Sequence, residues 1–368
     1  MFFNIVFLRP IMEKWFSDRL KQWYSMHKRD LPWRHETDPY KIWLSEIILQ
    51  QTQVAQGMSY YLAFTKNYSN VLKLANASED EVLKLWQGLG YYSRARNLHE
   101  TAKKIAYELK GNFPSTYNEI RLLKGVGDYT ASAIASFAFN LPFAVLDGNV
   151  YRLLSRLFGI NLPIDSASSK KEFQKLANSL LNKKEPALHN QAIMEFGSQF
   201  CKPKNPDCES CIFKNKCYAF SHKKVAELPV KKNKIKIRTR FFNYFVLIDK
   251  QGNVLINKRQ NKDIWEGLYE FLLIETKNDC SEIEFIETQS FKALFKSKPT
   301  ILYLSKIYKH VLSHQHLFAR FYVIKCVRFP KNSSLKTPLK NIQKWAFPKL
   351  IDNFLRDTDI GAISNKEV

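Results

Sequence analysis

The stretch Leu122-Leu123-Lys124-Gly125-Val126-Gly127-Asp128-Tyr129-Thr130-Ala131 organises the reading of this chain. A Gly-x-Gly step between apolar residues at helical spacing predicts two helices joined by a tight turn, with Asp128 as N-cap of the second. Gly125 and Gly127 let backbone N–H groups approach a phosphate closely, and the positive end of the following helix points the same way. Such a turn grips a nucleic-acid backbone without reading its bases. Helical signals continue outward from it. Trp15, Phe16, Leu20, Trp23 and Tyr24 recur at helical spacing. Asp38-Pro39 predicts an N-cap and a first-position proline for a helix running to about Gln53. Ser78 with Glu81 forms a capping box whose helix stops before Gly88-Leu89-Gly90, and another helix is expected from near Ser93 to Leu109.

The chain has 368 residues, with 57 Lys and Arg against 34 Asp and Glu, a formal charge of +23. Its length suggests two or three domains, and 45% hydrophobic with 25% charged residues excludes a disordered chain. No apolar run approaches the roughly 18 residues of a membrane helix, so no membrane partner is expected. The apolar start, Met1 to Leu8, lacks a basic region and a cleavage site, which argues against a signal peptide and leaves Met12 as an alternative start. The excess positive charge points to a polyanion, most simply nucleic acid. From His222 to Arg240 eight Lys or Arg face one acid, Glu227, and residues 222–237 read as a basic linker. Strands are expected beyond it, over Phe241–Ile248, Gly252–Asn257 and Leu317–Val327.

Cys201, Cys208, Cys211 and Cys217 follow a C-x6-C-x2-C-x5-C spacing, too crowded for separate buried thiols. Four soft thiolate donors within one loop point to a metal or an inorganic cluster in a reducing compartment. The spacing resembles the loop that holds a 4Fe–4S cluster in the endonuclease III family of DNA glycosylases, and the resemblance implies that cofactor here.

Three further segments refine the resemblance: Leu31-Pro32-Trp33-Arg34, Trp43 to Thr52, and Gly88-Leu89-Gly90-Tyr91-Tyr92-Ser93-Arg94. They are similar to the MutY-type adenine DNA glycosylases, which remove adenine mispaired with 8-oxoguanine. The implied fold is an all-α helix-hairpin-helix glycosylase domain with its cluster loop over residues 12–221, then an α+β Nudix-like domain over 238–356. Glu46 lies on a helix among Ile42, Trp43 and Leu49, surroundings that raise a carboxyl pKa and suit a general acid. Asp147 would serve merely as a helix cap in most settings. The resemblance instead makes Glu46 the acid that protonates adenine and later activates water, and Asp147 the stabiliser of the cationic sugar.

The same matching assigns Tyr129 to support the catalytic aspartate and places Asn149 near the sugar or water. It brings Arg34 to the extruded adenine and inserts Gln51 and Tyr91 into the base stack. In the second domain, Trp265-Glu266-Gly267-Leu268-Tyr269-Glu270-Phe271 echoes the Nudix-like segment without the carboxylate box of a working hydrolase. Leu312-Ser313-His314 matches the family's loop for the opposite base, so Ser313 and His314 are expected to sense 8-oxoguanine. The family pattern has proline where this chain has Lys124. The expected partner is double-stranded DNA with A:8-oxoguanine or A:G mispairs, bound by a monomer in a bacterial cytoplasm. Two other readings are an endonuclease III-type glycosylase with lyase activity, whose hairpin lysine is replaced here by Tyr129, and a non-catalytic damage-binding protein.

Overall fold

The computed structural model describes residues 9–232, 236–279, 285, 289–295, 299–327, 329–330 and 335–364. The apolar start, Met1 to Leu8, lies outside them. Two compact units divide the chain: residues 1–76 with 97–233, and residues 77–96 with 234–368.

The first unit is helical. Its helices are α1 (Arg9–His27), α2 (Pro39–Leu49), α3 (Val54–Asn67) and α4 (Val71–Asn76), then, after an excursion into the second unit, α7 (Tyr117–Arg121), α8 (Asp128–Phe139), α9 (Gly148–Phe158), α10 (Ala167–Leu180), α11 (Pro186–Gln199) and the short α12 (Tyr218–Ser221). Helix α5 (Glu79–Trp86) belongs to the second unit, and α6 (Ser93–Lys103) starts there and crosses into the first. Phe16, Leu20 and Trp23 of α1 share one core with Leu153, Leu154 and Leu157 of α9, Phe173 of α10 and Phe196 of α11. Each such large side chain contributes about 2 kcal/mol by leaving water.

Several local expectations hold. Asp38 caps α2 through the Tyr40 N–H, and Pro39 opens the helix. Ser78 and Glu81 form the reciprocal capping box of α5. Others are corrected. Helix α2 ends at Leu49 rather than near Gln53, because Gln50 turns to ψ 115° and Gln51 adopts φ 54°, which breaks the hydrogen-bond ladder. The N-cap of α8 is Gly127, not Asp128. Asp128 is the first helical residue and is held by Arg121 at 2.6 Å and by Lys170. The basic stretch 222–237 is not wholly a spacer. Residues up to 232 are tied to the helical unit, with Ile164 N–H on the Val230 carbonyl at 3.0 Å and Lys232 N–H on the Asp165 carboxylate.

The second unit centres on a sheet of strands β1 (Arg238–Ile248), β2 (Asn253–Lys258), β3 (Tyr269–Glu270), β4 (Leu272–Thr276), β5 (Ile301–Leu304), β6 (Tyr308–Val311), β7 (Gln315–Lys325) and β8 (Leu335–Pro338). Its path runs β3-β2-β1-β7-β5, with β4 beside β1, β6 beside β7 and β8 beside β2. The central pair β1–β7 is parallel from Arg238↔Gln315 to Ile248↔Lys325. Parallel strands covered on both faces should read as apolar runs, as Phe245-Val246-Leu247-Ile248 does. One face packs Phe321 flat on Phe354 of the helix Lys349–Asp357, centroids 3.9 Å apart. The other packs Phe245, Phe285 and Tyr322 together.

Candidate active site

Helices α2, α8, α9 and α11 surround one cleft in the first unit, lined among others by Trp33, Arg34, Glu46, Tyr129, Asp147, Asn149, Gln191 and Glu195. Glu46 comes from α2, a helix so apolar that only 6% of this residue stays exposed. Burial pushes the Glu46 carboxyl up to about 7; the Tyr129 hydrogen bond opposes that rise and the nearby Asp147 charge adds to it. Tyr129, on the first turn of α8, donates its hydroxyl to Glu46 Oε2 at 2.8 Å. The sequence resemblance joined Tyr129 to the aspartate, whereas its hydrogen bond here goes to the glutamate.

Asp147 is both a cap and a pocket residue. Its Oδ1 accepts from the Asn149 and Val150 N–H groups at 2.9 and 2.8 Å, and its Oδ2 accepts from Asn149 Nδ2 at 2.7 Å. Burial raises its pKa against these hydrogen bonds, which favour the charged form. Asn149 in turn accepts from Arg152 Nη2 at 2.8 Å, while Arg152 Nε donates to the Cys201 carbonyl at 2.8 Å. A continuous set of hydrogen bonds therefore runs from the carboxylate to the backbone of the cysteine loop.

The cleft also has an ionic lining, and the sequence reading missed its centre. Glu195 sits on α11 in Ala192-Ile193-Met194-Glu195-Phe196, where a charge inside an apolar run was the available signal. Its side chain is 1% exposed. Arg29 and Arg34 each place Nη2 2.6 Å from Glu195 Oε2. Burial alone would raise the Glu195 carboxyl, yet the hydrogen bonds from Arg29 and Arg34 overcome it and hold it at about 2. Arg34 also donates to the Arg29 carbonyl at 2.7 Å and lies over the Tyr24 ring. Fixed donors and a fixed acceptor thus line the same cleft as the two carboxyl groups.

Cys201, Cys208, Cys211 and Cys217 line a separate small cavity with Arg156, Phe196 and Phe213. None is in a disulfide. Burial pushes the Cys211 thiol up to about 12 despite the Phe213 N–H, and it also raises Cys208 and Cys217. Arg156 Nη1 stands 3.5 Å from Cys201 Sγ. Among the described residues no three His, Cys, Asp or Glu side chains converge as a ready metal cage. Four sulfur donors on one cavity, beside a cation suited to an anionic thiolate assembly, nevertheless fit a thiolate-bound cluster.

The remaining expected residues stand outside the cleft. Gln51 is exposed beyond the end of α2. Gly125 has φ 79°, and a Cβ there would meet the Asn97 Cβ at 2.9 Å, so the turn demands glycine. Gly127 has open space around it, so nothing in the protein excludes a side chain there. Lys124 is paired with Glu100 rather than standing as an unopposed charge. In the second unit, Tyr91 is 47% exposed at φ 46°, and Ser313 and His314 are exposed between β6 and β7.

Residues 44–183 match the family described as HhH-GPD superfamily base excision DNA repair protein, and residues 243–357 match the NUDIX domain. The chain is 36% identical over 308 residues to an adenine DNA glycosylase of Buchnera aphidicola subsp. Baizongia pistaciae, covering 82% of this chain and 84% of the relative. It is 34% identical over 355 residues to the adenine DNA glycosylase of Buchnera aphidicola subsp. Schizaphis graminum, covering 92% and 97%. The human adenine DNA glycosylase matches at 42% over 213 residues, 55% of this chain and 39% of that protein. Among solved structures, a thermostable thymine-DNA glycosylase superposes with TM-score 0.54 at 28% identity, over 58% of this chain and 99% of that one. An endonuclease III–DNA complex superposes with TM-score 0.50 at 21% identity, over 57% and 95%, and shares the fold.

Proposed function

We propose, from the premise that the chain belongs to the adenine DNA glycosylases of the HhH-GPD superfamily, that Glu46 and Asp147 divide the hydrolysis of adenine's N-glycosidic bond between them. The protein is a base-excision repair enzyme that removes adenine from DNA. The observation that carries the division of labour is the pair of carboxyls on one cleft with unlike surroundings. Burial raises Glu46 to about 7, so it keeps a proton to give far closer to neutral pH than an exposed carboxyl does. Asp147, although raised, accepts three hydrogen bonds that favour its anion.

In this reading the extruded base lies against Trp33, its exocyclic amine donating to Glu195 and a ring nitrogen accepting from Arg34. Glu46 gives its proton to the purine, the bond from the sugar to the base breaks, and the electron pair leaves with adenine. Asp147 faces the cationic sugar, and Asn149 fixes the carboxylate's rotation. Glu46, now ionised, takes a proton from the water that adds to the sugar carbon. Tyr91 and Gln51, both exposed, enter the base stack. Ser313 and His314 hydrogen-bond the opposite base and favour 8-oxoguanine over guanine. Gly125 and Gly127 bring backbone N–H groups to a phosphate.

Cys201, Cys208, Cys211 and Cys217 would hold a 4Fe–4S cluster, which would supply a rigid cross-link for the loop. The deciding experiment is single-turnover excision from A:8-oxoguanine and A:G duplexes, with and without alkali. Strand cleavage only after alkali, faster for A:8-oxoguanine, supports the reading. Cleavage without alkali indicates a lyase, and no excision indicates a binding protein.

A further inference from the structure

Within the second unit, residues 77–96 and the loops and strands of the sheet meet along an ionic seam. Lys258, at the end of β2, gives Nζ–H to Asp80 Oδ1 at 2.7 Å and to Glu79 Oε1 at 3.4 Å. Tyr269 of β3 donates its hydroxyl to the other Asp80 oxygen at 2.9 Å. Ten residues past α5, Arg96 Nη2 holds Glu266 Oε2 at 2.7 Å, and Arg96 Nη1 donates to the Glu266 carbonyl. Lys84 reaches the Trp345 carbonyl at 3.1 Å. Gly267 lies between these ties at φ 84°, where a Cβ would stand 3.1 Å from Leu83 and 3.6 Å from Arg96.

The loop they bracket carries the exposed tyrosine. Trp86 Nε1 donates to the Gly90 carbonyl at 3.0 Å, and the Gly88 N–H donates to the Tyr92 hydroxyl at 3.1 Å. At the tip, Tyr91 donates to Ser313 Oγ at 3.3 Å, and Ser313 Oγ lies 3.2 Å from His314 Nδ1. An exposed non-glycine residue at φ 46° costs free energy and persists only where its surroundings over-determine it. A lone surface ion pair would supply little. Here Asp80 takes two donors on its two oxygens, and Glu266 answers one guanidinium with both carboxylate and carbonyl, so the contacts are charge-assisted and shared.

We propose that Asp80 and Glu266 are positioning residues: with Lys258, Tyr269 and Arg96 they clasp residues 77–96 to the sheet, so that Tyr91 and the Ser313–His314 loop engage the duplex as one piece. The proposal rests on the reading that Tyr91 enters the stack while Ser313 and His314 meet the opposite base. Glu266 thereby acquires a role in the Nudix-like segment that needs no metal. Neither Asp80 nor Glu266 lines the catalytic cleft, so the clasp governs which duplex is accepted rather than the bond-breaking step.

The test uses full-length protein carrying Asp80→Asn, Glu266→Gln, both together, and the charge exchange Arg96→Glu with Glu266→Arg. Amide hydrogen exchange over residues 88–94 is measured without DNA, and single-turnover excision is measured on A:8-oxoguanine and A:G duplexes. The double variant should exchange about fivefold faster at these amides. Its rate ratio between the duplexes should fall about threefold, with A:8-oxoguanine excision losing more than A:G excision. The charge exchange restores the side-chain ion pair but leaves the residue-266 carbonyl without its donor, so it should recover part of both effects, whereas a general loss of folding would slow both duplexes alike. Unchanged exchange in the double variant overturns the clasp. Faster exchange with an unchanged ratio overturns its coupling to base discrimination. Ser313→Ala separates the two readings: if it leaves the ratio untouched, the opposite-base reading fails, and hydrogen exchange alone decides the clasp.

Discussion

The hydroxyl of Tyr129 binds Glu46 Oε2 at 2.8 Å, joining the first turn of the hairpin's second helix to the buried acid on α2. This bond stabilises the glutamate's charged form and so holds its pKa lower than burial alone would. Tyr129 thereby sets how much of the acid is protonated at neutral pH.

Tyr129→Phe should move the basic limb of the excision profile upward from about 7, because the bond that opposes burial is lost. The rate at pH 6 should fall by about tenfold or less, since the acid remains. Single-turnover rates from pH 5 to 9 check both.

Glu46→Gln should lower excision by about a thousandfold while duplex binding persists. It should also change stability with a defined sign. The Glu46 pKa rises on folding from 4.5 to about 7, so its stabilising contribution is complete below 4.5 and is lost as pH climbs through 7. The glutamine variant escapes that loss. Its advantage should open between these values and level off on the order of 2–3 kcal/mol, read from denaturation at pH 5 and pH 8.

Glu195→Gln should behave in the opposite sense. Its carboxyl falls from 4.5 to about 2 on folding, so its contribution is present above 4.5 and is lost as pH falls through 2. At neutral pH the variant should lose about 2 kcal/mol, because Arg29 and Arg34 lose a shared charged acceptor. Adenine release should slow as well. Urea melts at pH 7 and pH 3 should show the stability gap shrinking.

Arg152→Met should slow excision about tenfold, because Asn149 loses the donor that orients it against Asp147. Iron content should stay at the wild-type level, since the Cys201 side chain is untouched. Parallel iron assay and single-turnover kinetics separate the two effects.

Purified protein should be brown with about four irons per chain. Cys208→Ser should lose most of the iron and weaken duplex affinity. Stoichiometric zinc in a colourless protein would refute the cluster assignment.

Much of the site was legible where chemistry follows local spacing. Glu46 stood out because Ile42, Trp43 and Leu49 surround it on one helix, and all four cysteines fall within one loop. Asp147 was read first as a cap and then as catalytic, and its geometry is compatible with both, since the lone pairs that cap α9 leave the side chain on the cleft. Glu195 escaped notice because its meaning lies in partners 166 and 161 residues away. The hydrogen bond of Tyr129 to Glu46 likewise has no signal in the sequence, since 83 residues separate the two.

The amino-acid sequence by itself determined most of the helices and the caps at Asp38 and Ser78, the order of helical and sheet-rich parts, the four crowded cysteines and the two carboxyls. These follow from periodicity, capping stereochemistry and side-chain type, all of which act within a few residues. Only the tertiary structure decided that Arg29 and Arg34 converge on Glu195, that Tyr129 serves Glu46, and that residues 77–96 belong with the sheet unit. Such pairings depend on which helix faces and strand ends the folded core brings within 3 Å, and hydrogen bonds and ion pairs are too short-ranged to be encoded in spacing along the chain.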